Sequence, residues 1–387
     1  MTRGTAQPVI TGLGVAAPNG VGRASFAKAT LEGISGIGDL VSFDAGDTGR
    51  ERAGEMPDFD AEPFLRSPKN YLDRNSALAF AACEMAVRQS GASLPDETKA
   101  AGMCFGSAGG NLESLSMFWE RLTEKGPRFA PPFLFPHTYQ NTTLGLLCIE
   151  YGLGGPHECF CTGGAAGLEA VAAASQAVRL NRAPLMLAGG AEAFSEWLFR
   201  LALARGWLSP LDGGAETCRP FGNARNGCIL GEGAAACVIE PESAAAGRAL
   251  ARIAGYGAAA GPEAAMRMAL ENARIAPGDV GGVFAAAAGL PDADQQEADA
   301  LVSLFGPKEV PVVALKALIG ETLGASGPLN LAAALSALET NTLPAVPFPE
   351  GGVIEGVDLV TTPRGLEHRA LLINARGIMG TVTLIVE

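Results

Sequence analysis

Apolar residues along this chain fall into short runs that are separated by Gly-rich turns and Ala-rich segments. The stretch GPHECFCTGGAAG at 155–167 predicts a short strand, a tight glycine turn and the start of the Ala-rich helix AGLEAVAAASQAV. A strand, a tight turn and a helix in this order are the layout of a nucleophile turn. The turn itself, Gly163 and Gly164, has no side chain that could react. The pattern therefore predicts either an enzyme whose nucleophile lies elsewhere or a protein built like an enzyme that lacks the chemistry.

The same arrangement of elements occurs twice in the sequence. In each half a helix leads to a strand, and a Gly-rich turn leads to a buried Ala/Leu helix, a polar turn and an apolar stretch. The matched segments are 77–91 with 264–278, 100–110 with 280–291, and 163–190 with 320–348. Two copies of such a unit predict a pseudo-twofold α/β core.

A boundary between the two halves is predicted near residues 240–249, where PESAAAGRA follows the strand AACVIE. We therefore divide the chain into 1–243 and 244–387. The first half also carries an insertion at 111–150 that is rich in aromatic and apolar residues. An apolar insertion in an acidic protein is expected to be buried against something. A partner subunit and the protein's own core both remain open as the covering surface.

Composition and charge narrow the class of protein. Hydrophobic residues make up 48% of the 387 residues and charged residues 18%, so many elements must be buried on both sides, as in a layered α/β protein. The net charge of −13 argues against nucleic acid or an anionic membrane as a partner. No apolar run is long enough to span a bilayer, and the N-terminal residues lack the apolar segment of a signal peptide. We therefore expect a cytoplasmic protein.

The eight cysteines are scattered, and most lie within apolar runs. Cys159 and Cys161 form C-x-C rather than C-x-x-C, and no second pair accompanies them. This spacing does not match a zinc site, so no metal is expected. Reduced thiols are the expectation for a protein of the cytoplasm.

Seven sequence blocks resemble, in order, those of one enzyme family. They are VITGLGVAAPNGVG (9–22), GSAGG (106–110), YGLGGP (151–156), LAGGAEAF (187–194), CRPFGNARNGCILGEGAAACVIE (218–240), VALKALIGETLGASG (313–327) and NARGIMGTVTLI (374–385). Through these blocks the chain resembles the β-ketoacyl-acyl carrier protein synthases nearly from end to end. The resemblance implies an α/β fold of the thiolase-like five-layer αβαβα type with two pseudo-symmetric halves, in agreement with the internal duplication.

Enzymes of this family use a cysteine at the N-terminus of a buried helix, where the helix dipole and free N–H groups stabilise the thiolate. Two histidines assist decarboxylation of the malonyl unit. By the spacing of the family's motifs, the cysteine position is Gly164 and the histidine positions are Ala286 and Glu321. The resemblance therefore implies that the chemistry does not run on this chain. Lys316 is retained from the second histidine motif and is expected to form a structural ion pair with Glu321 or Glu297.

This pattern of loss is similar to that of chain-length factors, the β subunits of type II polyketide ketosynthases. The segment VFAAAAGLPDADQQEADAL (283–301) resembles the degenerate loop of that group, whereas Gly164 departs from the glutamine common at the cysteine position. The resemblance implies a heterodimer with a catalytic ketosynthase and transient contact with acyl carrier protein. The substrate would be carried on the phosphopantetheine of the carrier, with no cofactor of the chain's own. Aromatic and polyene products both remain open.

In such a heterodimer the tunnel for the growing chain crosses the interface, and bulky residues of the β subunit act as a ruler that sets chain length. The candidate ruler residues are Leu112, Leu115, Met117 and Phe118, together with Phe133 and Phe135. Ordinary core or dimer contacts are the alternative for each of them. Arg376 occupies the position of a gate phenylalanine, which implies either a gate that is closed or repurposed, or a surface arginine.

Two other functions remain open. The chain could be an acyltransferase or condensing enzyme with a displaced thiol, for which Cys161, three residues before Gly164, is the candidate. The position of Cys161 on a strand predicts a buried thiol with no base beside it. The chain could instead be a homodimeric scaffold that binds acyl chains or carrier protein. An intact ketosynthase encoded by a neighbouring gene would favour the chain-length factor.

Overall fold

Both halves of the chain contain strands and helices, as the sequence pattern predicts. The computed structural model describes residues 5–94 and 99–387. The strands are β1 (Pro8–Ala17), β2 (Gly20–Val21), β3 (Gly38–Asp39), β4 (Arg52–Ala53), β5 (Gly102–Gly106), β6 (His157–Phe160), β7 (Met186–Glu192), β8 (Gly233–Pro241), β9 (Ala251–Ala259), β10 (Val280–Phe284), β11 (Pro311–Val313), β12 (Thr342–Leu343), β13 (Asp358–Leu359), β14 (Arg364–Gly365), β15 (Ala370–Gly377) and β16 (Gly380–Val386). The helices are α1 (Arg23–Leu31), α2 (Arg74–Ser90), α3 (Leu112–Lys125), α4 (Thr142–Tyr151), α5 (Ala166–Arg179), α6 (Glu196–Ala204), α7 (Glu242–Ala245), α8 (Pro262–Ala273), α9 (Pro291–Phe305), α10 (Lys316–Ile319) and α11 (Ser326–Thr340).

Two sheets of the same topology form the centre of the fold. In the first sheet the order is β6-β5-β7-β8-β1, with β6, β5 and β7 parallel and with β8 and β1 each antiparallel to its neighbour. In the second sheet the order is β11-β10-β15-β16-β9 with the same directions, and β13 extends it beyond β11. A short antiparallel pairing of β1 with β9 joins the two sheets. The predicted duplication is therefore confirmed at the level of strand order.

Helices cover both sheets and fill the space between them. Helix α2 packs on the outer face of the first sheet and α8 on the outer face of the second. Helices α5 and α11 lie between the sheets and contact each other, because their Ala- and Leu-rich sequences allow burial on nearly all sides. This is the five-layer thiolase-like arrangement that the resemblance implies.

One detail of the predicted duplication is wrong. Helix α5 leads directly to β7, but α11 ends at Thr340 and the matching strand β15 begins only at Ala370. The apolar stretch 343–348 does not enter either large sheet; its first residue belongs to β12, which pairs with β14 alone. Pro344 and Pro347 explain the difference, since proline has no N–H to donate to a central strand.

The insertion 111–150 forms α3 and α4 and two short 3₁₀ turns, and its two helices differ. Helix α4 packs on α2 through Leu144, Leu147 and Tyr151. The one buried residue of α3 is Ser114, and the large apolar residues of the insertion lie mostly at the surface. The chain's own core therefore covers α4 but leaves much of α3 uncovered. Among the described residues no helix combines the length and apolar character that crossing a membrane requires.

Candidate active site

The position expected for the nucleophile lies in a turn that leads into a central helix. Strand β6 ends at Phe160, and residues 162–165, the first elbow, connect it to α5. Gly163 has a φ of +81°, which L-side chains rarely adopt. A Cβ atom on Gly164 would lie 2.5 Å from the carbonyl oxygen of Arg376. At position 164 the first elbow therefore has no nucleophile, and it has no room for one unless the end of β15 moves.

A second elbow, residues 322–325, leads into the other central helix, α11. Leu323 has a φ of +40°, a left-handed conformation that is costly for a residue with a Cβ. Oε1 of Glu321 accepts hydrogen bonds from the Leu323 N–H and from the Ser326 hydroxyl, both at 2.8 Å. The position that the family fills with histidine thus holds a carboxylate that fixes the start of a helix.

Lys316 pairs with Glu321 in the interior. Its Nζ lies 2.6 Å from Glu321 Oε2 and donates to the Ala286 carbonyl at 2.7 Å, and the Lys316 and Glu321 side chains are 5% and 11% exposed. Glu321 is one of the two partners predicted for Lys316. The other, Glu297, accepts from the Ala286 N–H at 3.0 Å and from Asn374 Nδ2 at 2.9 Å. An ion pair therefore occupies the space beside Ala286.

These contacts bring the three degenerate positions together. A Cβ on Gly164 would lie 3.8 Å from the carbonyl oxygen of Leu323, whose N–H binds Glu321, and Glu321 is joined to Ala286 through Lys316. The structure thus brings the three positions into one region through these intervening contacts, with no thiol and no imidazole at any of them.

Glu192 is a residue of this region that sequence reasoning missed. It ends β7, is buried, and accepts hydrogen bonds from the N–H groups of Ala108 (2.7 Å), Gly109 (2.8 Å) and Gly324 (3.1 Å). Burial raises the pKa of Glu192 to about 7, with a small contribution from the nearby Glu321 charge, while the three N–H groups oppose the rise. An acidic residue at the end of the apolar run MLAGGAE was the available signal.

Buried carboxylates on α9 hold the loop that contains Ala286. Asp294 accepts from the N–H groups of Phe221, Ala288 and Gly289, and burial raises the pKa values of both Asp294 and Glu297. Each carboxylate is occupied by backbone or amide donors. Neither is therefore placed to serve as a free base.

Cys161 does not lie where the sequence predicted. It follows β6 rather than belonging to it, and its side chain is exposed rather than buried. The predicted burial failed because β6 is an edge strand: it pairs with β5 on one side, and among the described strands none covers the other side. Within residues 5–94 and 99–387, no cluster of three or more His, Cys, Asp or Glu residues could hold a metal ion.

The candidate ruler residues separate into two environments. Leu112 packs against the cluster formed by α6 and the segment around Cys228, whereas Leu115 and Phe118 are half-buried and Met117, Phe133 and Phe135 are exposed. The Phe118 and Phe135 rings pack at a centroid distance of 5.7 Å. Apart from Leu112, these residues present an apolar surface.

Arg376 contributes through its backbone. Its carbonyl oxygen covers Gly164, while its exposed side chain donates to Gln296 Oε1 at 3.1 Å. The following turn carries Ile378 and Met379, which are 82% and 78% exposed. This turn is hydrogen-bonded to the first elbow, since the Ile378 N–H donates to the Thr162 carbonyl at 2.9 Å.

The fold is that of a thiolase-like condensing enzyme, and the three positions expected to react hold Gly164, Ala286 and Glu321. The model for the β-ketoacyl synthase N-terminal domain matches residues 7–245, and that for the C-terminal domain matches residues 243–347. The chain belongs to the β-ketoacyl synthase family.

Similar proteins include polyketide synthase subunits and a 3-oxoacyl-[acyl-carrier-protein] synthase. The tetracenomycin polyketide synthase ketoacyl synthase beta subunit of Streptomyces glaucescens is 33% identical over 395 residues, which cover 96% of each chain. The 3-oxoacyl-[acyl-carrier-protein] synthase 2 of Staphylococcus aureus is 30% identical, covering 88% of this chain and 89% of the other. A solved structure described as the ishigamide ketosynthase/chain length factor superposes with a TM-score of 0.91 at 25% identity and covers 99% of each chain.

Proposed function

We propose that this protein is a non-catalytic chain-length factor that pairs with an active β-ketoacyl-acyl carrier protein synthase in a type II polyketide system. The observation that carries the proposal is the closed first elbow: Gly164 has no nucleophile, and the Arg376 carbonyl lies where a side chain would begin. The Lys316–Glu321 ion pair beside Ala286 supports it, since a carboxylate paired with a lysine offers no N–H donor of the kind that an imidazole provides.

The free edge of the first sheet is our candidate for the partner interface. Met103 of the neighbouring strand β5 and Ser107, the residue after it, donate to the carbonyls of Pro156 and Phe160. The backbone groups of His157 and Cys159 therefore face outward. An exposed strand edge is a template for pairing with another chain. The exposed aromatic residues of the insertion, Phe133 at 62% and Phe135 at 48% among them, add an apolar surface of the kind that obligate partners cover.

The growing acyl chain, carried on the phosphopantetheine of acyl carrier protein, would be elongated on the catalytic partner and would end against α3 of this subunit. Phe118, Met117 and Leu115 lie on this helix and are incompletely covered by their own chain. One methylene too many in a packed pocket costs about 1–3 kcal/mol, which is enough to stop extension. Side-chain volume on α3 would therefore set product length.

The test is reconstitution of the complex. The chain is co-expressed with an intact ketosynthase from the same gene neighbourhood, purified, and supplied with malonyl-carrier protein. We expect a 1:1 complex with an interface above about 2,000 Å² and products of defined length. Phe118→Ala or Met117→Ala should lengthen the product by one or two units, and Leu115→Trp should shorten it. Leu180→Ala, which removes an exposed apolar side chain at the end of α5, is the matched control.

Three outcomes would contradict the proposal at different points. A monomer that ignores the ketosynthase would exclude the pairing. Equal product lengths at lower yield in all α3 variants would make the chain a structural activator rather than a ruler. An acyl adduct on Cys161 of the isolated chain, detected by mass spectrometry, would favour a displaced-thiol enzyme instead.

A further inference from the structure

Two cysteines lie side by side at the free edge of the first sheet. Cys159 is within β6 and is partly buried, with its thiol donating to the Gln140 carbonyl at 3.5 Å. Cys161 follows the strand and is exposed, whereas the other six cysteines are buried or partly buried. The two Sγ atoms are 3.8 Å apart, which is van der Waals contact between thiols. No step of the proposed function uses this pair.

We propose that Cys159 and Cys161 are a site of reversible oxidation, at which a small disulfide such as glutathione disulfide converts the two thiols into an intrachain disulfide, and that only the dithiol form pairs with the catalytic subunit. The oxidation site stands on the geometry of this chain alone. The effect on pairing rests on the proposed function.

The exchange balances with glutathione disulfide as the oxidant. The exposed Cys161, as thiolate, attacks one sulfur of glutathione disulfide; that S–S bond breaks and one glutathione thiolate leaves. Cys159, as thiolate, then attacks Cys161 Sγ, forming the Cys159–Cys161 bond and releasing the second glutathione. The two protons lost by the cysteines go to the two glutathione thiolates. Burial, and to a smaller extent the neighbouring Cys161, raises the pKa of Cys159 to about 12. Because Cys161 is also the exposed thiol of the two, Cys161 is the attacking thiol and Cys159 the resolving one.

The disulfide and the extended edge exclude each other. Residues two apart in an extended strand have Cβ atoms about 6.7 Å apart, whereas a disulfide requires about 3.5–4.5 Å between Cβ atoms. The bond can therefore form only if the backbone bends between Cys159 and Cys161. Since Cys161 lies past the end of β6, the bend falls at the end of the strand. A bend there keeps Cys161 out of a ladder with a partner strand and turns the carbonyl of Cys159 away from it, which weakens the pairing at this end of the edge.

The oxidation site is tested on the full-length chain alone. After incubation with glutathione disulfide, the chain is unfolded in denaturant that contains N-ethylmaleimide, so that every free thiol is blocked, and the peptide that contains residues 155–167 is analysed by mass spectrometry. We expect the loss of two hydrogens from this peptide and six blocked thiols elsewhere. Cys159→Ser should instead retain glutathione on Cys161, and Cys148→Ser, at a partly buried cysteine of α4, should behave like the unmodified chain. A stable glutathione adduct on the unmodified chain, or a disulfide that involves another cysteine, would overturn the assignment.

The effect on pairing is tested with the catalytic ketosynthase. At a partner concentration of about 100 times Kd, about 1% of the chain is free, so disulfide formation should slow about 100-fold. The pre-oxidised chain should bind the partner at least about tenfold more weakly, and dithiothreitol should restore binding. Unchanged binding after oxidation would overturn this second part. If the reduced chain does not bind either, the proposed function fails while the oxidation site stands.

Discussion

The two elbows of this protein share a backbone path but are held in different ways. Each connects to a central helix, and each carries a residue with positive φ, Gly163 in the first elbow and Leu323 in the second. Two buried carboxylates hold the second elbow, since Glu321 accepts from Leu323 N–H and Glu192 from Gly324 N–H. In the described part of the chain no side chain accepts a hydrogen bond from Gly163 or Gly164 N–H.

The difference shows two ways in which positions that the family resemblance marks as catalytic are occupied in this chain. In the first elbow the reactive side chain is absent and a backbone carbonyl closes the space. In the second elbow the replacing residue, Glu321, has become part of the support for α11. We therefore expect substitutions around the second elbow to destabilise the fold. In the first elbow we expect added side-chain atoms at Gly164 to clash with the Arg376 backbone.

The largest effect is expected from breaking the Lys316–Glu321 pair. Lys316→Met leaves Glu321 buried without its cation, and such a change costs about 3–5 kcal/mol. The double variant Lys316→Met/Glu321→Gln should recover most of this loss, because the amide oxygen can still accept from Leu323 N–H. Chemical denaturation measures the loss of free energy of unfolding in the single variant and its recovery in the double variant. Lys28→Met, at an exposed lysine, is the control. Equal stability of Lys316→Met and the unmodified protein would contradict a structural role for the pair.

The next largest effect is a pH dependence that comes from Glu192. Its pKa of about 7 in the folded protein lies above the ordinary value of 4.5, so the folded state binds the proton more tightly. The contribution of Glu192 to the free energy of unfolding is present below pH 4.5 and is lost as the pH rises to about 7, by about 3 kcal/mol in total. Denaturation across this range should show the decline in the unmodified protein and in the exposed-site control Glu242→Gln. If the Glu192→Gln variant shows the same decline, the pH dependence comes from other groups.

A moderate loss is expected from restoring a side chain at the first elbow. Gly164→Cys places a Cβ against the Arg376 carbonyl and should lower the free energy of unfolding by about 1–3 kcal/mol, as overpacking does. It should not restore condensation in the presence of acyl and malonyl carrier protein. Gly145→Ala, at a helical glycine with open space around its Cβ position, should instead raise stability by about 0.5–1 kcal/mol. Condensing activity in Gly164→Cys would show that the site is intact apart from one residue.

The smallest effect concerns backbone strain in the second elbow. Leu323→Ala and Leu323→Gly remove nearly the same packing, but only glycine adopts a φ of +40° without cost. The glycine variant should therefore be about 1 kcal/mol more stable than the alanine variant. The reverse order would mean that the elbow changes its conformation once the leucine is removed.

Sequence reasoning reached the parts of this structure that depend on pattern and spacing. The two halves and the central helices follow from repeated runs, whereas the positions of Gly164 and Glu321 were marked only by the resemblance to the family's motifs. The closure of Gly164 by Arg376 was not predictable, because a contact between a turn and the backbone of a distant strand leaves no periodic signal. The exposure of Cys161 was missed for a related reason: an apolar run does not reveal which of its strands lies at a sheet edge.

The carbonyl over Gly164 and the ion pair beside Ala286 also oppose substitutions that would introduce reactive side chains. A cysteine gained at position 164 meets the Arg376 backbone, and a histidine gained at position 321 leaves Lys316 without its carboxylate. Each of these substitutions alone should lower the stability of the protein without completing a reactive set of side chains. Under the proposed function, the packing of this region thus disfavours each single substitution toward a cysteine and a histidine at these two positions.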